Sequence, residues 1–127
     1  MIQYFWRVIN VLEIKTEYRE GILFVRLEGI LVSNTVEFFQ TELERWKEEG
    51  ISNIVFNVMN LKKIDTVGIR SFFDSYQMIH DKDGRGLICG MNHHINHSLK
   101  SSRILNYIYE ISDELNAIKV MKWSKGS

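Results

Sequence analysis

The class this sequence predicts is α/β. It predicts one domain, with a mixed, mostly parallel sheet of four to five strands and about four helices packed against it. Three observations carry the prediction. The hydrophobic period switches repeatedly between two, the strand repeat, and about 3.6, the helix repeat. The runs Ile54–Met59 and Leu87–Cys89 are nearly continuous in apolar residues, as expected of strands covered on both faces. The composition is globular: of 127 residues, 45% are apolar and 25% charged, too apolar and too evenly charged for disorder.

In chain order, Leu12, Ile14, Thr16 and Tyr18 alternate with Glu13, Lys15 and Glu17, the mark of a half-buried strand. Glu20-Gly21 turns the chain, and Ile22–Leu27 reads as a second strand ending at Gly29, so the two form an antiparallel hairpin. From Asn34 the period changes. Val36, Phe39, Leu43 and Trp46 fall on one helical stripe, Ser33 or Asn34 caps its start, and Gly50 stops it. Ile54–Met59 is the third strand, followed by Asn60–Ile64 as a loop. Asp65 then opens a helix with the stripe Ile69, Phe72 or Phe73, Tyr76 and Ile79, ended by Lys82–Gly86. After the short strand Leu87–Cys89, a third helix carries Ile95, Leu99 and Leu105. Tyr107–Ile111 reads as a last strand, and Ser112-Asp113-Glu114 opens a final helix bearing Leu115, Ile118 and Met121. The resulting order is β-β-α-β-α-β-α-β-α, with right-handed crossovers placing helices against the sheet.

Residues 13–121 are expected to form the domain, between an N-terminal apolar extension (1–12) and a tail (122–127). In the extension, Tyr4–Leu12 is apolar and aromatic, but Arg7 and Asn10 interrupt it, no basic cluster precedes it and no small-residue cleavage site follows. It reads as an extra strand or helix packed on the domain or on a partner copy. The chain has no Pro and eight Gly, and no linker or low-complexity stretch suggests a hinge.

Composition also excludes functions. Sixteen Lys and Arg balance sixteen Asp and Glu, which leaves no basic surplus for wrapping nucleic acid. No run approaches the roughly 18 consecutive apolar residues of a membrane span. The one cysteine, Cys89, rules out an internal disulfide framework and fits a reducing compartment, so a cytoplasmic protein is expected. Cys89 has apolar neighbours, which leave a thiol inert. No Gly-x-Ser-x-Gly elbow and no phosphate-binding glycine loop is present, so neither nucleophilic catalysis nor a nucleotide cofactor is expected, and the chain is not read as an enzyme. His93 and His97 stand at i, i+4 and share a helix face. With only His80 besides His94 elsewhere, and no third ligand evident, the cluster reads as an exposed helix start and no metal is expected.

The segment that stands out is Ile64-Asp65-Thr66-Val67-Gly68-Ile69, where a buried strand passes into a helix N-terminus. Asp65 can cap that helix, Thr66 and Val67 occupy its first turn, and Gly68 lets another backbone come close. Two readings are open here. One is a plain N-cap with a threonine beside it. The other is a presented hydroxyl where backbone N–H groups and the helix dipole favour a phosphate.

Gly21 and Gly29 bounding the second strand, followed by Asn53 to Ile69 (NIVFNVMNLKKIDTVGI), resemble a STAS domain over about residues 13–121. More narrowly they are similar to the bacterial anti-sigma factor antagonists, in which Asp-Ser-Ser-Gly or Asp-Ser-Ala-Gly opens the corresponding helix. The resemblance implies that Thr66 is the phosphoacceptor, Asp65 the acidic residue before it and Gly68 the glycine after it. It also implies a partner, a serine-protein kinase that doubles as an anti-sigma factor, and a PP2C-type phosphatase that resets the switch. The partner surface is expected to include Asp65, Thr66, Val67, Gly68, Arg70 and Asp74, together with the loop Ile30–Asn34. Three departures stand out. Thr replaces the commoner Ser, Val67 replaces a small residue, and Ile30-Leu31-Val32 stands where an acidic residue often follows the second strand. Two other functions fit the same fold: a module binding a nucleotide, anion or lipid in the loops near Asp65 and Asn92, and a non-phosphorylated scaffold subunit. A homodimer is compatible with each.

Overall fold

The computed structural model describes residues 12–126; the expected N-terminal extension therefore lies outside the described residues, except for Leu12. Five strands, β1 (Leu12–Arg19), β2 (Ile22–Leu31), β3 (Ile54–Ile64), β4 (Gly86–Cys89) and β5 (Tyr109–Glu110), form one sheet in the order β1-β2-β3-β4-β5. The β1–β2 pair is antiparallel and every other pair is parallel. Four α-helices, α1 (Val36–Glu48), α2 (Thr66–Asp81), α3 (His93–Ser102) and α4 (Glu114–Gly126), complete the fold. The mixed sheet, the strand and helix order, and the single domain are as the sequence predicts.

Strand order explains the layering. The parallel strands advance across the sheet in one direction, so right-handed crossovers must put α1, α2 and α3 on the same face. They pack there on a large core in which Phe39, Phe56 and Phe72 meet at centroid distances of 5.1–6.1 Å. The other face is left to α4, which covers a smaller cluster of Ile22, Phe24, Val55, Leu87, Cys89, Ala117 and Met121.

Several expectations at element ends are corrected. β2 does not stop at Gly29 but runs to Leu31, and β3 runs on through Asn60–Lys63 to Ile64. Asn60, Leu61 and Lys63 pair with Glu28, Gly29 and Ile30, because the β2–β3 register shifts after Arg26 and again after Gly29, where φ is 102°. Neither Ser33 nor Asn34 caps α1. The N-cap is Thr35, whose hydroxyl accepts from the Val32 N–H (3.0 Å) and donates to the Ile30 carbonyl (2.8 Å), fastening the loop instead of the helix. The buried face of α2 is rotated from the expected stripe: Gly68, Ser71, Phe72, Ser75, Met78 and Ile79 are buried, while Ile69, Phe73 and Tyr76 are half-exposed. Leu105 lies beyond α3, in a 3-10 turn entered through Arg103 at φ 69°. The last strand has two residues, and Leu115 faces solvent while Ala117 and Met121 are buried.

Candidate functional site

At the C-terminal end of β3 the chain leaves the sheet through Asp65 and enters α2 at Thr66. Asp65 is extended (φ −112°, ψ −176°), and its side chain accepts from the Gly68 N–H at 2.9 Å, satisfying one of the orphan donors at the helix start. The other carboxylate oxygen accepts from the Ser33 N–H at 3.0 Å, and the Asp65 N–H donates to the Leu31 carbonyl at 3.3 Å. One residue thus ties the β2–α1 loop to the α2 turn.

Gly68 makes the junction tight, as the sequence predicts. A Cβ placed there would lie 2.1 Å from the Leu31 carbonyl oxygen and 3.0 Å from the Ile64 side chain. Ser71 and Ser75 follow Gly68 on the buried side of α2. The Ser71 hydroxyl donates to the Gly68 carbonyl (2.5 Å) and the Ser75 hydroxyl to the Ser71 carbonyl (2.8 Å), so these small side chains satisfy themselves on their own helix.

Burial pushes the Asp65 carboxyl up. The N–H donors of Gly68, Ser33 and Val67, with Lys63 nearby, outweigh burial and hold the group below its ordinary value. A folded pKa lowered in this way contributes stability that is fully present above the ordinary carboxyl range and is lost as pH falls through the lowered value. Asp65→Asn is accordingly expected to flatten the acid side of the stability curve. Urea midpoints measured at stepped pH check this; parallel curves for wild type and variant would contradict it.

Of the predicted site residues, Thr66, Arg70 and Asp74 are exposed, Asp65 and Val67 are half-buried, and Gly68 is buried beneath them. Thr66 is exposed at the first helical position, and Arg70 and Asp74, at i+4 and i+8, continue the same exposed stripe. Val67 is half-buried and packs against the main core. Of the predicted Ile30–Asn34 loop, Ile30 and Leu31 belong to β2 and Leu31 is buried; the remainder borders this stripe through the Ser33–Asp65 bond. The histidines are elsewhere: His93, His94 and His97 are exposed on α3, and His80 stacks on Tyr76 at 5.5 Å. Among the described residues, no group of three His, Cys, Asp or Glu is arranged to hold a metal. No helix among them is long and apolar enough to cross a membrane. Cys89 is buried beneath α4, and burial, with Glu114 adding to it, pushes its thiol up to about 11.

A polar cluster on the α4 face was not predicted. The Arg26 guanidinium donates to both carboxylate oxygens of Glu114 (2.9 and 2.7 Å) and to Glu17 (3.0 Å), and Asn57 donates to Glu114 at 2.9 Å. This bidentate pair anchors the first turn of α4 to β2 and β3. Its sequence signal is a lone polar residue in each of two apolar runs, Arg26 in Ile22–Leu27 and Asn57 in Ile54–Val58.

Residues 13–118 match the family model described as the STAS domain. A curated relative, the anti-sigma F factor antagonist of Paenibacillus polymyxa, is 27% identical over 108 residues, which cover 84% of this chain and 92% of the relative. The anti-sigma factor antagonist from Mycobacterium paratuberculosis superposes with a TM-score of 0.80 at 10% identity, covering 88% of this chain and 95% of that one. The anti-sigma factor antagonist SpoIIAA in its unphosphorylated form gives a TM-score of 0.69 at 15% identity, covering 88% of this chain and 98% of that one. Its phosphorylated form, a Bacillus protein, gives 0.67 at 15%, with 87% and 99% covered. At these identities the structural likenesses speak for the fold. With the family model spanning the five strands from Glu13 onward and most of the helical residues, the chain belongs to the STAS domain family.

Proposed function

We propose that this protein is an anti-sigma factor antagonist. In this reading it binds an anti-sigma factor that is also a serine-protein kinase, and phosphorylation of Thr66 ends the binding. The observation that carries the reading is the presentation of Thr66. Its side chain is exposed on a turn that Asp65 fastens from two sides, whereas Ser71 and Ser75, further along the same helix, are fully buried at 0% exposure. The relative named an anti-sigma F factor antagonist and the SpoIIAA structures in unphosphorylated and phosphorylated forms support it. The partner surface is the exposed side of the Asp65–Gly68 turn, the stripe through Arg70 and Asp74, and the end of the β2–α1 loop at Ser33 and Asn34. A PP2C-type phosphatase would reset the switch, and the exchange belongs to the cytoplasm. In this reading the kinase and the phosphatase supply the chemistry at Thr66, and this protein's own role is binding rather than catalysis.

Incubation with the cognate kinase and ATP, followed by peptide mass spectrometry, is expected to place one phosphate, on Thr66. Phosphate elsewhere with Thr66 unmodified would refute the assignment. Charge reversal at the exposed Arg70 or Asp74 is expected to weaken kinase binding about tenfold, or about 1.4 kcal/mol, with the melting temperature unchanged. Titration calorimetry of both variants checks this, and unchanged affinity in both would move the interface elsewhere.

A further inference from the structure

β1 is an edge strand, and among the described residues nothing pairs with its outer side. Hairpin geometry fixes which of its groups face outward. Glu20 (φ 55°) and Gly21 (φ 80°) form a two-residue turn between the paired residues Arg19 and Ile22. Such a turn closes on a hydrogen-bonded pair. Pairs alternate along an antiparallel ladder, so Glu17, Lys15 and Glu13 also spend their backbone groups on β2. The N–H and C=O groups of Tyr18, Thr16, Ile14 and Leu12 therefore point away from the sheet.

We infer that this edge pairs with the same edge of a second copy, antiparallel about a twofold axis at Thr16, joining two five-stranded sheets into one of ten strands. Only registers that place even-numbered residues opposite even-numbered ones bring outward groups face to face. Among these, centring on Thr16 sets Glu13 opposite the second copy's Arg19 and Lys15 opposite its Glu17. The twofold repeats both pairs, giving four opposite-charge contacts on one face. Slipping the centre to residue 15 opposes Lys15 to Lys15 and Glu13 to Glu17. Slipping it to residue 17 opposes Glu17 to Glu17 and Lys15 to Arg19. The charge order thus favours the Thr16 register and repels both neighbouring ones.

The side chains suit the arrangement. Glu13, Lys15 and Arg19 are exposed, and their present ion pairs are surface ones that a second copy can share. On the other face Tyr18 is 62% exposed, beside a groove of about 420 Å³ lined by Thr16, Trp46 and Ile51 among others. In this register the second copy's Ile14 stands next to Tyr18, at the mouth of that groove. Charged side chains or a proline commonly guard an edge against association; here there is no proline, and the charges alternate in sign so that an antiparallel copy complements them. The inference does not depend on Thr66, and the failure of either leaves the other intact.

Sedimentation equilibrium of the full chain is expected to give twice the 15.0 kDa of one copy. Thr16→Pro removes an outward N–H while sparing the β2 ladder, and is expected to give the monomer mass. The variant Glu13→Lys/Glu17→Lys and the variant Lys15→Glu/Arg19→Glu are each expected to be monomeric alone and to associate when mixed. Circular dichroism confirms folding of each. Under mild oxidation Thr16→Cys is expected to form a disulfide-linked dimer, because a hydrogen-bonded pair sets Cα atoms about 5.5 Å apart, and Tyr18→Cys is not. A wild type that stays monomeric at its highest soluble concentration would overturn the proposal and give the edge to another strand. So would a dimer that survives Thr16→Pro and both charge variants, or equal cross-linking at positions 16 and 18.

Discussion

Thr66→Asp is expected to weaken binding to the kinase about a hundredfold, while Thr66→Ala binds as well as the unphosphorylated wild type. The proposed switch adds about −1.5 to −2 charges to a neutral hydroxyl, beside the Asp65 carboxylate and inside an interface. Desolvation and repulsion costing about 3 kcal/mol are enough for that factor, since about 1.4 kcal/mol is tenfold. The fold need not change, because Thr66 is exposed and the bonds that hold its turn are made by Asp65 and Gly68. An acid at the first helical position also meets the helix dipole favourably, so the aspartate variant is expected to remain folded. Thr66→Ser is expected to be phosphorylated at least as fast as wild type, because losing the γ-methyl frees χ1. Titration of the three variants against the purified kinase, with circular dichroism alongside, is the measurement. Equal binding by the aspartate and alanine variants would reduce Thr66 to part of a helix start.

Gly68→Ala is expected to destabilise the domain by about 3 kcal/mol, the upper range for overpacking a tight junction. Helix propensity alone predicts the opposite sign, since alanine is favoured over glycine inside a helix by about 1 kcal/mol. The added Cβ would come within 2.1 Å of the Leu31 carbonyl oxygen, a backbone atom that cannot turn aside. Relief requires α2 to move off β2, which breaks the Asp65 bonds to Leu31 and Ser33 as well. Gly50 is the control. A Cβ there meets nothing within 4 Å, so its φ of 78° is the sole source of cost, about 1 kcal/mol. Urea unfolding of both variants with unchanged slope is the test. A Gly68→Ala variant as stable as wild type would show that the junction is looser than its geometry.

What the sequence made legible follows from how locally each feature is encoded. The Val36–Trp46 stripe, the Glu20-Gly21 turn and the Asp65 cap each depend on residues within a turn or two, and all three stand as expected. The ends of β2 and β3 were not legible, because Asn60–Lys63 are held in the ladder by partners more than thirty residues away. The α2 face was misjudged for a related reason. Phe73 and Tyr76 outrank serine in hydrophobicity, yet Gly68, Ser71 and Ser75 share the buried side with Phe72, Met78 and Ile79, and at Gly68 the helix start sits against the Leu31 carbonyl. The aromatic rings instead pack sideways on Tyr107, with centroids at 5.9 and 5.0 Å. In the site, the carboxylate cap and the close-packed glycine could be read from their spacing. The tie from Asp65 to Ser33, and the Arg26–Glu114–Asn57 anchor, join distant stretches of chain and needed coordinates.

The sheet order β1-β2-β3-β4-β5 also bears on how the protein is made. Each strand joins the one synthesised immediately before it, so no gap is held open for a later arrival. The growing chain can therefore lay down its hairpin first and add β3, β4 and β5 at one advancing border, each delivered by the helix that precedes it. Loop closures stay short at every step, which favours rapid folding. The border exposed during synthesis is longest when β3, with eleven residues, is outermost. Four-residue β4 then pairs with Ile54–Asn57 of β3, and two-residue β5 pairs in turn with β4. The interval between completing β3 and completing β4 is thus the moment at which a nascent chain presents the most unpaired backbone to its neighbours on the same message.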